Sequence, residues 1–229
     1  MSLGRQMLIA AALLAGFAVA GTGLVAWTQY QTADRIAENQ RQTLLDRLNQ
    51  ILPAAAYDNE LVDDTLALDA PILGGQPPQT VYRARRRGQP VAAIFTVVAP
   101  NGYSGPIRLL VGVYRSGELA GVRVVGHAET PGLGDAVESE KSDWIHGFQG
   151  KRLGDPPAQA WKVRKDGGAF DQFTGATITP RAVVAAVKRT LEYHAAHREA
   201  IYAAPAERAP DPRPELANPA NERGGADVR

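Results

Sequence analysis

Between Arg5 and Asp34 the chain carries no charged residue. Its apolar core, Met7 to Trp27, is rich in Ala, Leu, Val and Gly, and it reaches the length of about 20 residues that a helix needs to cross a bilayer. Trp27 and Tyr30 fall where an interfacial aromatic belt lies. A second reading exists, because Ala18-Val19-Ala20 before Gly21 has the form of a signal-peptide cleavage site. Apolar character nevertheless continues through Leu24, Val25 and Trp27, and only Arg5 precedes the run, so an uncleaved single anchor is favoured. Orientation is not legible from charge: Arg5 is opposed by Arg35 and Arg41, mixed with Asp34 and Glu38.

The 229 residues suffice for one medium domain plus attachments, and a net charge of +1 with scattered basic residues gives no nucleic-acid footprint. The densest basic cluster, Arg83, Arg85, Arg86 and Arg87, precedes Gly88 and reads as a solvated turn. Cysteine is absent, which excludes disulfides, thiolate catalysis and Cys-ligated iron–sulfur or zinc sites. No histidine pair has the His-Glu-x-x-His form. His194 and His197, near the end of a helix, read as residues that favour its dipole.

Past the anchor, Ile36, Leu44, Leu45, Leu48 and Ile51 suggest a helix over about 32–52 that Pro53 stops. Asp58 to Asp69 reads as an acidic loop with a short strand, and Gly74-Gly75 and Pro77-Pro78 mark turns. Strands are expected over Thr80–Arg85, Val91–Ala99, Ile107–Tyr114 and Leu119–Val125, the last two flanking the Ser116-Gly117 hairpin signal. Val111, Val113, Val122, Val124 and Val125 would supply a core face. Trp144 and Phe148 belong to a short helix and to the core, and Ala160–Val163 reads as an edge strand. The stretch 203–229, rich in Pro, Ala and charge, reads as a disordered tail.

Two stretches carry chemistry. In the first, Asp171-Gln172-Phe173-Thr174-Gly175-Ala176-Thr177-Ile178-Thr179-Pro180 precedes an amphipathic run through Ala182, Val183, Ala186, Val187, Thr190 and Leu191. Thr179 suits the N-cap and Pro180 the first helical position, which sets Thr174 to Thr177 just before a helix N-terminus, where orphan N–H groups and the dipole receive phosphate. The Gly-Lys-Ser/Thr ending of a Walker loop is missing; a Thr-rich cap on an ordinary docking helix is the plain alternative. In the second, His127-Ala128-Glu129-Thr130-Pro131-Gly132-Leu133-Gly134 brings backbone N–H groups close to a flat ligand, with Glu129 and Thr130 as acceptor and donor. Its plain alternative is a Pro-Gly turn with His127 at a strand end.

Asp-x-x-Thr-Gly-Ala-Thr at 171–177 resembles the flavinylation motif of FMN-binding domains. With the anchor, the 127–134 stretch, Lys141-Ser142-Asp143-Trp144-Ile145 and Lys165-Asp166-Gly167-Gly168, the chain from about 7 to 202 resembles the RnfG (RsxG) family, the G subunits of Rnf (Rsx) membrane electron-transport complexes. The resemblance implies an α+β fold: an anchor over 1–31 (membrane span about 7–27), a connecting helix and loop region over 32–78, and an FMN-binding domain of antiparallel strands and helices over 79–202. It implies FMN esterified through its phosphate to Thr177, installed by a Mg-dependent flavin transferase from FAD. Thr174, Gly175 and Ala176 would position the phosphate, and Glu129, Thr130, Gly132, Leu133 and Gly134 would lie against the ring. Asp171 would assist maturation. The implied function is electron carriage in an ion-translocating ferredoxin:NAD oxidoreductase, among other complex subunits in the bacterial inner membrane, with the domain in the periplasm. The related flavin-bearing C subunit of the sodium-pumping NADH:quinone oxidoreductase shares the short motif. A non-redox, membrane-anchored periplasmic scaffold needs neither motif.

Overall fold

A computed structural model describes residues 3–206 of the chain. In order along the chain the elements are α1 (Leu3–Ile51), β1 (Thr65–Leu68), β2 (Gln79–Arg86), β3 (Gln89–Ala99), β4 (Ile107–Tyr114), β5 (Leu119–Gly126) and α2 (Ile178–Ala203), with short 3-10 turns between them. Two compact units divide between Thr43 and Leu44. The first is helical. Its Gly4–Ala33 stretch, with mean hydropathy 2.2 and no buried residue, is long and apolar enough to cross a membrane.

In the second unit the five strands pair antiparallel in chain order. Side chains alternate across a strand, and β3 divides accordingly: Ala93, Phe95, Val97 and Ala99 point to one core, Ala92 and Ile94 to the other. The first core lies under α2, which packs on β3 and β4. The second is closed by Leu44, Leu48, Ile51 and Leu52 from the end of α1 and the residues after it. Of the expected core valines, Val111, Val113 and Val122 are buried on the α2 side with Val124 beside them, while Val125 packs on the opposite face. Adjacent strand residues cannot share a face.

The docking of the α1 end depends on two glycines paired across β4 and β5, Gly112 and Gly121. A Cβ at Gly112 would stand 2.3 Å from Ile51 Cγ2, and one at Gly121 would stand 3.5 Å from the Ile51 backbone. The missing side chains make the groove.

Three expectations change here. Arg83 is no part of a turn: it lies on β2, fully buried, with Nη2 2.6 Å from Asp64 Oδ1. Its Nη1 donates to the carbonyls of Ile201 (3.0 Å) and Ala204 (2.7 Å), and Arg85 Nη2 donates to Tyr202 O at 3.1 Å. The two arginines thus satisfy carbonyls that a helix C-terminus leaves open. The turn itself is Arg87-Gly88, both at positive φ (52° and 74°), as a two-residue hairpin turn requires. Ala160–Val163 forms no strand: Trp161 is buried between two 3-10 turns, and Val163 makes an isolated bridge to Phe170. Finally, α2 reaches Ala203 with Tyr202 buried and Ala204 against the core, so the expected tail starts later than 203, and 207–229 lie outside the described residues.

Candidate functional site

Helix α2 begins at Ile178 with Thr177 in the N-cap position, two residues before the start that the Thr179-Pro180 pair suggested. Thr177 already has helical dihedrals (φ −80°, ψ −25°), and its side chain makes no cap hydrogen bond. Pro180 therefore falls inside the first turn, where its missing N–H costs nothing. Ile178 and Thr179 have N–H groups without an intrahelical acceptor, by their position in that turn. Just ahead, Ala176 N donates to Phe173 O at 3.1 Å, closing a four-residue turn whose third residue, Gly175, has φ +80°. A side chain rarely adopts that dihedral. The hydroxyl of Thr177 is thus presented beside a tight turn at a positive helix end.

A second turn faces it. Leu133 N donates to Thr130 O at 3.1 Å, with Pro131 and Gly132 (φ 77°) at the corner. That is the pattern of a type II turn. Leu133 remains half exposed, and its Cδ2 lies 3.6 Å from where a Gly175 Cβ would be. The two glycine-containing stretches, more than forty residues apart in sequence, meet there.

Glu129 is what ties them. It is buried; one carboxylate oxygen accepts the N–H of Ser104 at 3.0 Å and the other accepts the hydroxyl of buried Thr179. Its polar atoms are turned inward, joining the loop before β4, the loop after β5 and the first turn of α2. Gly134 and Gly102 leave room for this carboxylate: Cβ atoms there would lie 2.6 Å and 2.8 Å from its oxygens. Tyr103, next to Ser104 in the chain, is two-thirds exposed. Thr130 and Gly132 are exposed, Gly134 is buried, and Thr174 and Gly175 are exposed.

Behind the motif stands an aromatic stack. Phe173 meets Trp144 edge-on at 5.1 Å, Trp144 meets Phe148 at 5.3 Å, and Phe148 stacks on Phe170 at 4.7 Å. Trp144 Nε1 also donates to the carbonyl of Asp171 at 2.8 Å. Trp144 and Phe148 do pack in the core, on a 3-10 turn over Asp143–Phe148 whose cap is Ser142. The Asp171 carboxylate is exposed and pairs with Arg164 at 2.8 Å.

Asp135 was invisible to motif reading. Its carboxylate accepts from Lys141 Nζ at 2.7 Å and faces the backbone N–H groups of Gly132 and Leu133, and these neighbours, Lys141 foremost, hold it below the usual carboxylate range. Lys141 is pushed up by the same contact. His127 Nδ1 accepts the N–H of Glu129 at 3.0 Å while Nε2 lies 2.7 Å from Glu138 Oε1. Only an aspartate six residues from a lysine was there to be noticed. A groove of about 410 Å³ beside β5 includes His127 and Glu138 but not Thr177. Thr177 is half-buried while Leu133, Thr174 and Gly175 around it are exposed, so this surface suits a ligand that is attached better than one held by enclosure.

That surface fits a flavin phosphate: a free hydroxyl at a helix N-terminus, glycine where the backbone must come close, and an apolar Leu133 at the rim. Comparison with known proteins gives the domain its family. The family model described as FMN-binding domain matches residues 102–192, and that described as RnfG N-terminal region matches residues 1–51. Similar proteins include the G subunit of the ion-translocating oxidoreductase complex of Pseudomonas aeruginosa, 54% identical over 200 residues that cover 87% of this chain and 94% of the relative. Proteins of the same name from Vibrio vulnificus (50% over 188 residues, 82% and 89%) and Pseudoalteromonas atlantica (49% over 193 residues, 84% and 90%) align comparably.

Proposed function

Because the chain belongs to the family of G subunits of ion-translocating oxidoreductase complexes, we propose that it carries electrons within such a complex, on FMN joined covalently to Thr177. The observation that carries this reading is the position of Thr177, with an uncommitted hydroxyl at the N-cap of α2. When bound, the flavin supplies the redox chemistry; the chain supplies attachment, orientation and a charge environment.

Thr177 Oγ1 is the attachment atom. A flavin transferase with Mg would join it to the FMN phosphorus of FAD, break the pyrophosphate bond and release AMP, the hydroxyl proton leaving to a base of the transferase. The resulting diester keeps one negative charge, which the N–H groups of Ile178 and Thr179 and the helix dipole offset. Thr174, Gly175 and Ala176 shape the turn that approaches the phosphate. Thr130, Gly132, Leu133 and Gly134 form the loop toward the ring, with Leu133 as the apolar contact, and Glu129 braces that loop from within. Asp171, exposed and oriented by Arg164, is accessible to the transferase. The apolar Gly4–Ala33 helix anchors the protein in the inner membrane beside the other subunits, with the domain on the periplasmic side, and the complex couples ferredoxin and NAD chemistry to ion movement.

Intact mass and in-gel flavin fluorescence on denatured chain, co-expressed with a flavin transferase, test the tether. Wild type gains one FMN less water, and Thr177→Ala loses both the mass and the fluorescence. Wild type without added mass, beside an active transferase, overturns the covalent reading.

A further inference from the structure

The loop from Glu129 to Leu133 is held at both ends by one polar network. At its start the N–H of Glu129 donates to His127 Nδ1 at 3.0 Å. At its end the backbone N–H groups of Gly132 and Leu133 face the Asp135 carboxylate, which they help hold below the usual carboxylate range. The two ends are joined through side chains: His127 Nε2 to Glu138 Oε1 at 2.7 Å, Glu138 Oε1 to Lys141 Nζ at 3.2 Å, and Lys141 Nζ to Asp135 Oδ2 at 2.7 Å. An imidazole nitrogen that accepts carries no proton. The ring proton is therefore on Nε2, donated to Glu138, and one tautomer alone satisfies both bonds. The His127 side chain is 11% exposed, so the lost bonds would not be freely replaced by water.

We propose that His127 is a positioning residue of the cofactor loop: through Nδ1 it fixes the backbone of Glu129, through Nε2 it is locked to Glu138 and Lys141, and it thereby sets where Leu133 stands against Gly175 and the redox potential of a flavin at Thr177. The part concerning potential rests on the flavin reading above; the part concerning the loop does not.

Two substitutions divide the roles of the ring. Asparagine places its amide oxygen where Nδ1 stands and keeps the acceptor for Glu129. Glutamine reaches toward the Nε2 position and keeps the donor to Glu138, but offers nothing at Nδ1. Full-length chain in detergent is compared as wild type, His127→Asn and His127→Gln by hydrogen–deuterium exchange of the peptide over 127–134, first without flavin. The peptides of β3 and β4 in the same digests serve as the reference for global stability. His127→Gln should speed exchange at the Glu129 end roughly threefold to tenfold, the worth of one hydrogen bond, with β3 and β4 unchanged, and His127→Asn should restore most of the protection. With flavin attached, the midpoint potential of His127→Gln should depart from wild type and that of His127→Asn should return toward it. Equal exchange in the two variants, or wild-type exchange in His127→Gln, overturns the positioning role. Flavin that fails to attach to wild type defeats the tether alone, since the exchange experiment without flavin still decides the loop.

Discussion

At Gly134 the backbone passes so close to the Glu129–Thr179 pair that no side chain fits: a Cβ would stand 2.6 Å from Glu129 Oε2 and 2.8 Å from Thr179 Oγ1. Both atoms belong to a buried hydrogen bond and cannot swing into solvent. Gly134→Ala should therefore break that bond and destabilise the domain by about 1–3 kcal/mol, read as a lower midpoint in thermal or urea unfolding. Flavin incorporation should fall with it, whereas Gly132→Ala meets open space and is strained only through its φ of 77°. A Gly134→Ala chain with wild-type stability would refute the bracing role of Glu129. The residue-level lesson is that Glu129, read from sequence as an edge for a ligand, spends both oxygens inside the protein. Nothing in a Glu-Thr-Pro-Gly string tells which way the carboxylate turns.

Between elements, the end of α1 is seated by absence. Gly112 and Gly121 face each other across β4 and β5, and Ile51 fills the space above them. Gly112→Ala would force a methyl to within 2.3 Å of Ile51 Cγ2 and should cost about 1–3 kcal/mol, measured by chemical unfolding. Ile51→Ala removes Cγ2, so Gly112→Ala with Ile51→Ala should cost less than the sum of the two single changes; strict additivity would mean the methyl and Ile51 do not meet. The helices and strands themselves were largely legible, because hydrophobic period and turn residues act locally. The start of α2 was misplaced by two residues because Thr179, a good cap by composition, is instead drawn to Glu129, and Thr177 takes the cap position.

For the molecule as a whole, His194 ties stability to pH. It is fully buried, edge-on to Phe95 and Tyr202, and neither ring nitrogen has a hydrogen-bond partner among the described residues. Burial, with Arg198 nearby, lowers its pKa from 6.5 to about 4. It therefore does not lend a positive charge to the helix dipole, contrary to the expectation from its place in the sequence. The unfolded chain binds this proton near pH 6.5 while the folded chain resists it until about 4. Stability is thus unaffected by His194 above pH 6.5 and falls as pH drops from there to 4, by roughly 3 kcal/mol in all. His194→Phe, which fills the same aromatic contacts without a titrating ring, should flatten that part of the stability profile; an unchanged slope in unfolding measured from pH 7 to 4 would place the acid sensitivity elsewhere.

By itself the sequence determined the apolar N-terminal run, the four long strands, the amphipathic final helix and the two motifs, since each depends on neighbours in the chain: charge exclusion over a span, alternation along a strand, glycine at a corner. Tertiary structure alone decided that Arg83 is buried to cap α2 through Ile201 and Ala204 and that Leu133 comes to lie against Gly175. It also decided that His127 accepts the N–H of Glu129 and that Lys141 joins Asp135 to Glu138. These depend on groups far apart in the chain that share one small volume. A buried charge or an inward carboxylate becomes favourable only when its partners arrive from other elements, and no local pattern records that meeting.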